Sequence, residues 1–257
     1  MTRARTHIRY DVADGVACLV LNNPPLNVID LPMMEELAAA LAEIEACSDV
    51  TVIAISGEGG SFSAGVDVAA HTPDRVSIML GSFHSVVRLL VASKKVTIAS
   101  VHGNCLGGGA ELAMVCDIVY TSSGARWGFP EIKLGCYPPV ACTALAALVG
   151  QKRASEMILT GRNISGDEAA AIGLATRAMP ESELDDAIKT CCRDLTHLSS
   201  AALSLTKKAI YAWDSIHFDK GLARAEKIYM EELIQTADAN EGVRAFMEKR
   251  EAKWIGK

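Results

Sequence analysis

Ser100-Val-His-Gly-Asn-Cys-Leu-Gly-Gly-Gly-Ala-Glu-Leu-Ala-Met-Val-Cys-Asp117 decides how this chain reads. Its first residues close an apolar, β-branched run at 96–101, which predicts a buried strand. Three glycines follow at 107–109, and Leu112, Met114 and Val115 then recur with helical spacing. The pattern predicts a bare backbone turn opening a helix, with its free N–H groups and positive dipole end facing outward. Such a turn can hold a developing negative charge. Beyond it, Gly128-Phe-Pro-Glu-Ile-Lys-Leu-Gly135 brings a second acid, Glu131, to accompany Glu111. Two carboxyl groups in apolar surroundings beside an anion-holding turn are suitable parts for moving protons.

The glycines lack the order of a dinucleotide fingerprint, and no Gly-Lys-Ser/Thr follows them, so neither that fold nor a phosphate loop is expected. A second glycine-rich loop, Gly57-Glu-Gly-Gly-Ser-Phe-Ser-Ala-Gly-Val-Asp67, leaves another buried strand at 50–56 in the same way. Loops at the carboxyl ends of neighbouring strands are where α/β proteins hold ligands. One N–H from each loop makes a two-donor hole, each donor worth about 3 kcal/mol toward an enolate-like oxygen.

Outward from this centre, 7–11 and 16–21 read as a hairpin about Asp14-Gly15. Asp30 caps a helix carrying Met33, Met34, Leu37, Leu41 and Ile44. A third strand is expected at 118–121, and helices at 73–93, 141–149 and 154–159. Ser165 and Glu168 form a capping-box-like start. Further helices are expected at 184–195, 201–211, 222–235 and 240–254. The fold class is α/β, with a core over 1–195 and a helical region over 196–257.

With 257 residues, half of them hydrophobic, the chain has material for a sizeable core. A net charge of −6 without a basic block argues against nucleic acid. No apolar run approaches a membrane span, and the opening Met-Thr-Arg-Ala-Arg-Thr-His lacks a signal-peptide core, so a cytoplasmic protein is expected. The eight cysteines show neither Cys-x-x-Cys nor zinc-ligand spacing and are read as small buried thiols; no metal is expected.

The candidate residues also have plainer readings. Glu111 suits the first turn of a helix whatever its role, and Glu131 suits a surface loop after Pro130. Together, beside the glycines, they favour a catalytic pair. Asp67 either caps a helix entering at Val68 or contacts ligand. Asp117 reads as structural at a strand start, His102 as a satisfied structural histidine, and Lys249 and Arg250 as a solvated face of the last helix.

Phe62-Ser-Ala-Gly-Val-Asp67, 101–117 and 128–135 resemble the crotonase (enoyl-CoA hydratase/isomerase) superfamily over nearly the whole chain. The resemblance implies a spiral of ββα units with a helical C-terminal trimerisation region, and a homotrimer or dimer of trimers. It implies an acyl-CoA thioester as substrate, coenzyme A being part of that substrate and no separate cofactor being needed. The thioester oxygen would be held by the amides of Val66 and Gly108, and the adenine end of CoA would lie along Ala64, Asp67 and Val68. Lys249 would reach the CoA phosphates of a neighbouring subunit. Glu111 and Glu131 match the two catalytic glutamates of the hydratases. Many isomerising or hydrolysing relatives lack one of these, so their joint presence favours water addition.

One stretch departs from the straight-chain hydratases, which carry a Pro-Gly-x-Gly-Gly run after the equivalent of Gly135. Here the chain reads Cys136-Tyr-Pro-Pro-Val-Ala-Cys-Thr-Ala-Leu145. Two prolines and Tyr137 make a stiffer wall beside the expected acyl pocket. This run is similar to cyclohexa-1,5-diene-1-carbonyl-CoA hydratases of anaerobic aromatic degradation. The competing readings are a general short-chain enoyl-CoA hydratase or isomerase, and a non-catalytic RNA-binding protein on the same scaffold. Acidic charge and both glutamates weigh against the last.

Overall fold

A computed structural model describes residues 5–211 and 215–255. Residues 1–4, 212–214 and 256–257, parts of the opening segment and of the expected helical region, lie outside the described residues. Asp14 and Gly15 both take positive φ, 49° and 79°. That is the twist a two-residue hairpin needs, and it joins β1 (Ile8–Ala13) to β2 (Val16–Leu21) as an antiparallel pair. From β2 onward the pairing is parallel, through β3 (Val52–Gly57) and β4 (Val96–Val101). Three short strands, β5 (Asn104–Leu106), β7 (Arg126–Gly128) and β8 (Asn163–Ser165), form a second sheet. β6 (Ile118–Ser122) and β9 (Arg177–Met179) complete the first, whose order is β1-β2-β3-β4-β6-β9.

All six residues of β4 are buried, because helices cover both faces of the sheet. Alternation along β3 shows how. Ile53 and Ile55 join the main core with α1 (Leu31–Ala46) and α2 (Val76–Ala92). Val52 and Ala54 face the other way, into a smaller cluster with Ile188 and Cys192 of a later helix. Asp30 caps α1, its Oδ1 accepting from the Met33 amide at 2.9 Å.

After α2 come α3 (Gly108–Met114), α4 (Pro139–Val149) and α5 (Gln151–Thr160), with a 3-10 turn at Pro130–Leu134. α6 (Gly166–Ala171) has half the expected capping box: Ser165 Oγ accepts from the Glu168 amide, but the Glu168 carboxylate turns to Arg162. α7 (Glu181–Thr196), α8 (Ser200–Tyr211), α9 (Ser215–Glu231) and α10 (Ala237–Met247) follow. Leu222 and Tyr229 of α9 and Val243 of α10 are buried in the main core, so these helices close it rather than lying outside it.

Some expectations need correction. The last helix stops at Met247, not 254, because the chain turns at Lys249 (φ 53°) and folds back on Glu241. The Glu241 carboxylate accepts from Arg244, Arg250 and the Lys253 amide, so Arg250 is paired and not on a solvated helix face. The helix expected at 222–235 starts at Ser215 and ends at Glu231, with a separate 3-10 turn at Leu233–Gln235. Of the eight free cysteines, Cys18 and Cys142 are exposed and Cys47 and Cys191 half-buried, so only part of the set is buried. Among the described residues no helix is long and apolar enough to cross a membrane.

Asp117 takes the structural role expected of it. Its Oδ2 accepts from the Thr97 amide (2.7 Å) and hydroxyl (2.9 Å) and lies 2.7 Å from Lys207 Nζ. This buried pair pins α8 to the end of β4, with Lys207 also donating to the Lys95 carbonyl.

Candidate active site

The two glycine-rich loops are stitched together by main-chain hydrogen bonds. Ser63 N donates to Asn104 O at 2.9 Å and Leu106 N to Ser63 O at 3.0 Å, while Ser63 Oγ donates to Asn27 O. Gly65 sits at φ +105°, and a Cβ there would lie 2.9 Å from the Leu106 carbonyl oxygen and 3.5 Å from the Gly108 nitrogen. Only glycine permits this approach. Among the described residues, neither the Val66 nor the Gly108 amide has an acceptor. Both residues line one cavity of about 420 Å³, with Gly108 at the N-terminus of α3. Two amides without partners, side by side on a cavity wall, are positioned to hold an anionic oxygen.

Glu111 and Glu131 line the same cavity. Glu111 comes from the first turn of α3, is only 3 % exposed, and its Oε1 accepts from the Ala141 amide at 2.9 Å. Burial pushes its carboxyl up to about 7 against the pull of that hydrogen bond. Glu131, on the Pro130–Leu134 turn, presses its Oε1 toward Gly107, where a Cβ would come within 2.6 Å. Its Oε2 is closed from solvent and has no partner among the described residues. Burial first, and the charge of Glu111 second, raise this carboxyl well above the usual range. Both carboxyls are thus held more readily protonated than free ones, Glu111 by burial and Glu131 by burial together with the neighbouring charge of Glu111.

The other expected residues divide. Ala64, Val68 and Tyr137 line the cavity. The Tyr137 hydroxyl donates to the Ala225 carbonyl at 2.6 Å and its ring meets Tyr229 edge-on, so it offers the cavity a fixed aromatic face. Asp67 lies outside the lining and caps the 3-10 turn at Val68–His71, accepting from the Ala69 amide. Lys249 is exposed beyond α10 and also lies outside the lining, where the cation present is Lys133. His102 donates to the Gly59 carbonyl, as a structural histidine would.

Sequence reading missed the wall built by Met79, Leu80, Phe83 and His84 of α2, Tyr229 of α9 and Phe246 of α10. The one available signal was His84, a polar residue inside the apolar stripe of α2. Among the described residues no cluster of His, Cys, Asp and Glu is placed to hold a metal ion.

Residues 11–257 match the family model described as enoyl-CoA hydratase/isomerase. The chain is 33 % identical over 236 residues to cyclohexa-1,5-dienecarbonyl-CoA hydratase of Thauera aromatica, covering 92 % of this chain and 91 % of that one. It is 35 % identical over 243 residues to short-chain-enoyl-CoA hydratase of Clostridium acetobutylicum, covering 91 % and 92 %. Among solved structures it is similar to an enoyl-CoA hydratase from Mycobacterium avium subsp. paratuberculosis, with a TM-score of 0.88, 27 % identity and coverage of 97 % and 98 %.

The buried carboxyls make stability depend on pH. A carboxyl raised in the folded state destabilises nothing below its unfolded value, and the deficit grows until pH passes the folded value. For Glu111 the window therefore runs from about 4.5 to about 7. Across it, wild type is expected to lose about 3 kcal/mol of unfolding free energy relative to Glu111→Gln. Urea unfolding of both proteins at several pH values checks this; parallel curves would contradict it.

Proposed function

The chain belongs to the enoyl-CoA hydratase/isomerase family, and from that premise we propose that it adds water to a conjugated enoyl thioester of coenzyme A, with cyclohexa-1,5-diene-1-carbonyl-CoA as its acyl substrate. The observation carrying this reading is the pair of buried carboxyls sharing a cavity with two unpartnered amides. The thioester oxygen accepts from the Val66 and Gly108 amides, which draws electron density from the conjugated system. The ionised member of the glutamate pair takes a proton from water as its oxygen bonds to the ring carbon β to the carbonyl. Charge moves into the dienolate, where the two amides stabilise it more than they stabilise the neutral thioester. The protonated carboxyl then delivers its proton to the far end of the dienolate. The product is 6-hydroxycyclohex-1-ene-1-carbonyl-CoA, and the glutamate pair again holds a single proton.

Support for the cyclic acyl group comes from the Tyr137-Pro-Pro wall, whose fixed aromatic face suits a flat ring, and from the likeness to the Thauera aromatica hydratase. The likeness to the Clostridium acetobutylicum enzyme supports a straight-chain enoyl substrate, the second reading. The proposal extends to a homotrimer or dimer of trimers in which Lys249 meets the CoA phosphates of a neighbouring subunit. Exposed Leu205 and Ile210 on α8, and Phe246 and Met247 at the end of α10, support a surface that another copy covers.

Three measurements test the proposal. Turnover of the cyclic dienoyl-CoA is expected to exceed that of crotonyl-CoA, and the reverse order moves the assignment to straight-chain hydration. Glu111→Gln and Glu131→Gln are each expected to lower turnover by about 10²-fold or more, and near-wild-type rates in either variant remove that residue from the chemistry. Light scattering on the purified protein is expected to give a mass of three or six chains, which a monomer would refute.

A further inference from the structure

His84 stands on α2 in the middle of an otherwise apolar wall, between Leu80 and Phe83 on one side and α9 on the other. Its side chain is 0 % exposed, yet it lines the cavity that holds Glu111 and Glu131. Its Nδ1 lies 2.7 Å from Glu226 Oε1, and Arg88 Nη2 donates to the same oxygen at 2.9 Å. A carboxylate paired with arginine is ionised and can only accept, so Nδ1 carries the hydrogen and donates it. Burial lowers the tendency of the ring to take a second proton, so Nε2 presents a bare lone pair. That atom is buried and has no partner among the described residues. An unsatisfied buried acceptor held in one tautomer by a Glu226–Arg88 pair is costly to maintain for packing alone. A leucine would fill the same wall without it.

We propose that His84 determines specificity for the hydrated thioester: its Nε2 accepts a hydrogen bond from the hydroxyl that water addition installs on the acyl group. This rests on the hydration reading above, which is the step that creates a hydroxyl donor inside the cavity. The neighbouring side chains Met79, Leu80 and Phe83 offer that hydroxyl nothing. Glu226 and Arg88 act through His84 as positioning residues, fixing which nitrogen bears the proton. The consequence is that the site distinguishes a hydroxylated acyl group from its deoxy counterpart, rather than measuring chain length alone.

The test uses a pair of coenzyme A thioethers, cyclohexylmethyl-CoA and its 2-hydroxy derivative, which lack the carbonyl and so cannot eliminate water. Calorimetry on the purified full chain is expected to give about tenfold tighter binding of the hydroxy ligand. His84→Leu is expected to lower that preference severalfold, and His84→Gln, which keeps an acceptor, to restore part of it. Because a variant can fail by misfolding, the wild-type protein with ¹⁵N-labelled histidine supplies an independent readout. The Nε2 resonance is expected to begin as that of a bare neutral nitrogen and to shift with the hydroxy ligand but not with the deoxy one. Equal affinities in wild type, an undiminished preference in His84→Leu, or an unmoved Nε2 resonance would each overturn the proposal. Enoyl-CoA hydration is assayed on the same preparation. Hydration with a silent His84 defeats this inference alone, whereas a responsive His84 without hydration defeats only the functional reading.

Discussion

The site depends on two backbone segments passing closer than any side chain allows. Where the loop at 57–67 crosses residues 106–108, Gly65 faces the Leu106 carbonyl and Gly107 faces the Glu131 carboxylate, and a Cβ at either would intrude to under 3 Å. Strand-like hydrogen bonds through Ser63 hold the crossing in place. Closeness of backbone to backbone turns two ordinary loop amides into a convergent pair of donors. It also brings a carboxylate onto the turn from which α3 begins, beside the carboxylate that α3 itself carries.

Electrostatics follows from that crowding. Protein packs around the two glutamates, so burial becomes the first cause of both shifted protonation equilibria. Glu111 Oε1 accepts from the Ala141 amide, while among the described residues Glu131 Oε2 has no partner. The asymmetry gives two chemically identical groups different surroundings. The unpartnered amides work by the same logic. They are already oriented on the cavity wall, so an anionic oxygen placed there would meet them without rearrangement.

A different balance governs the wall opposite. The α2 helix supplies an apolar surface, and a single imidazole interrupts it, kept neutral by burial and fixed by an ion pair reaching across from α9. The C-terminal helices thereby do more than cover the sheet. Tyr229 and Ala225 of α9 also fix the ring of Tyr137, so the shape of the cavity depends on chain distant in sequence from the glycines.

Local signals made much of this legible. Asp14-Gly15 specifies a twist, Asp30 an N-cap, and the β-branched run at 96–101 a strand buried on both faces, and each is decided by residues a few positions apart. The glycines likewise marked where the two loops meet, because the crossing tolerates nothing larger than hydrogen. Three-residue strands such as β5 and β8 left no periodicity to read, and the end of α10 was set by Glu241 recruiting Arg250 and the Lys253 amide, a long-range competition that helical spacing does not encode. The sequence by itself determined the α/β class and the glycines and acids that meet at the cavity, through backbone sterics and hydrophobic period. Tertiary structure alone decided that Asp67 is a cap, that His84 lines the cavity, and that the Ala141 amide meets Glu111, since those outcomes depend on what packs against each group across many residues of chain.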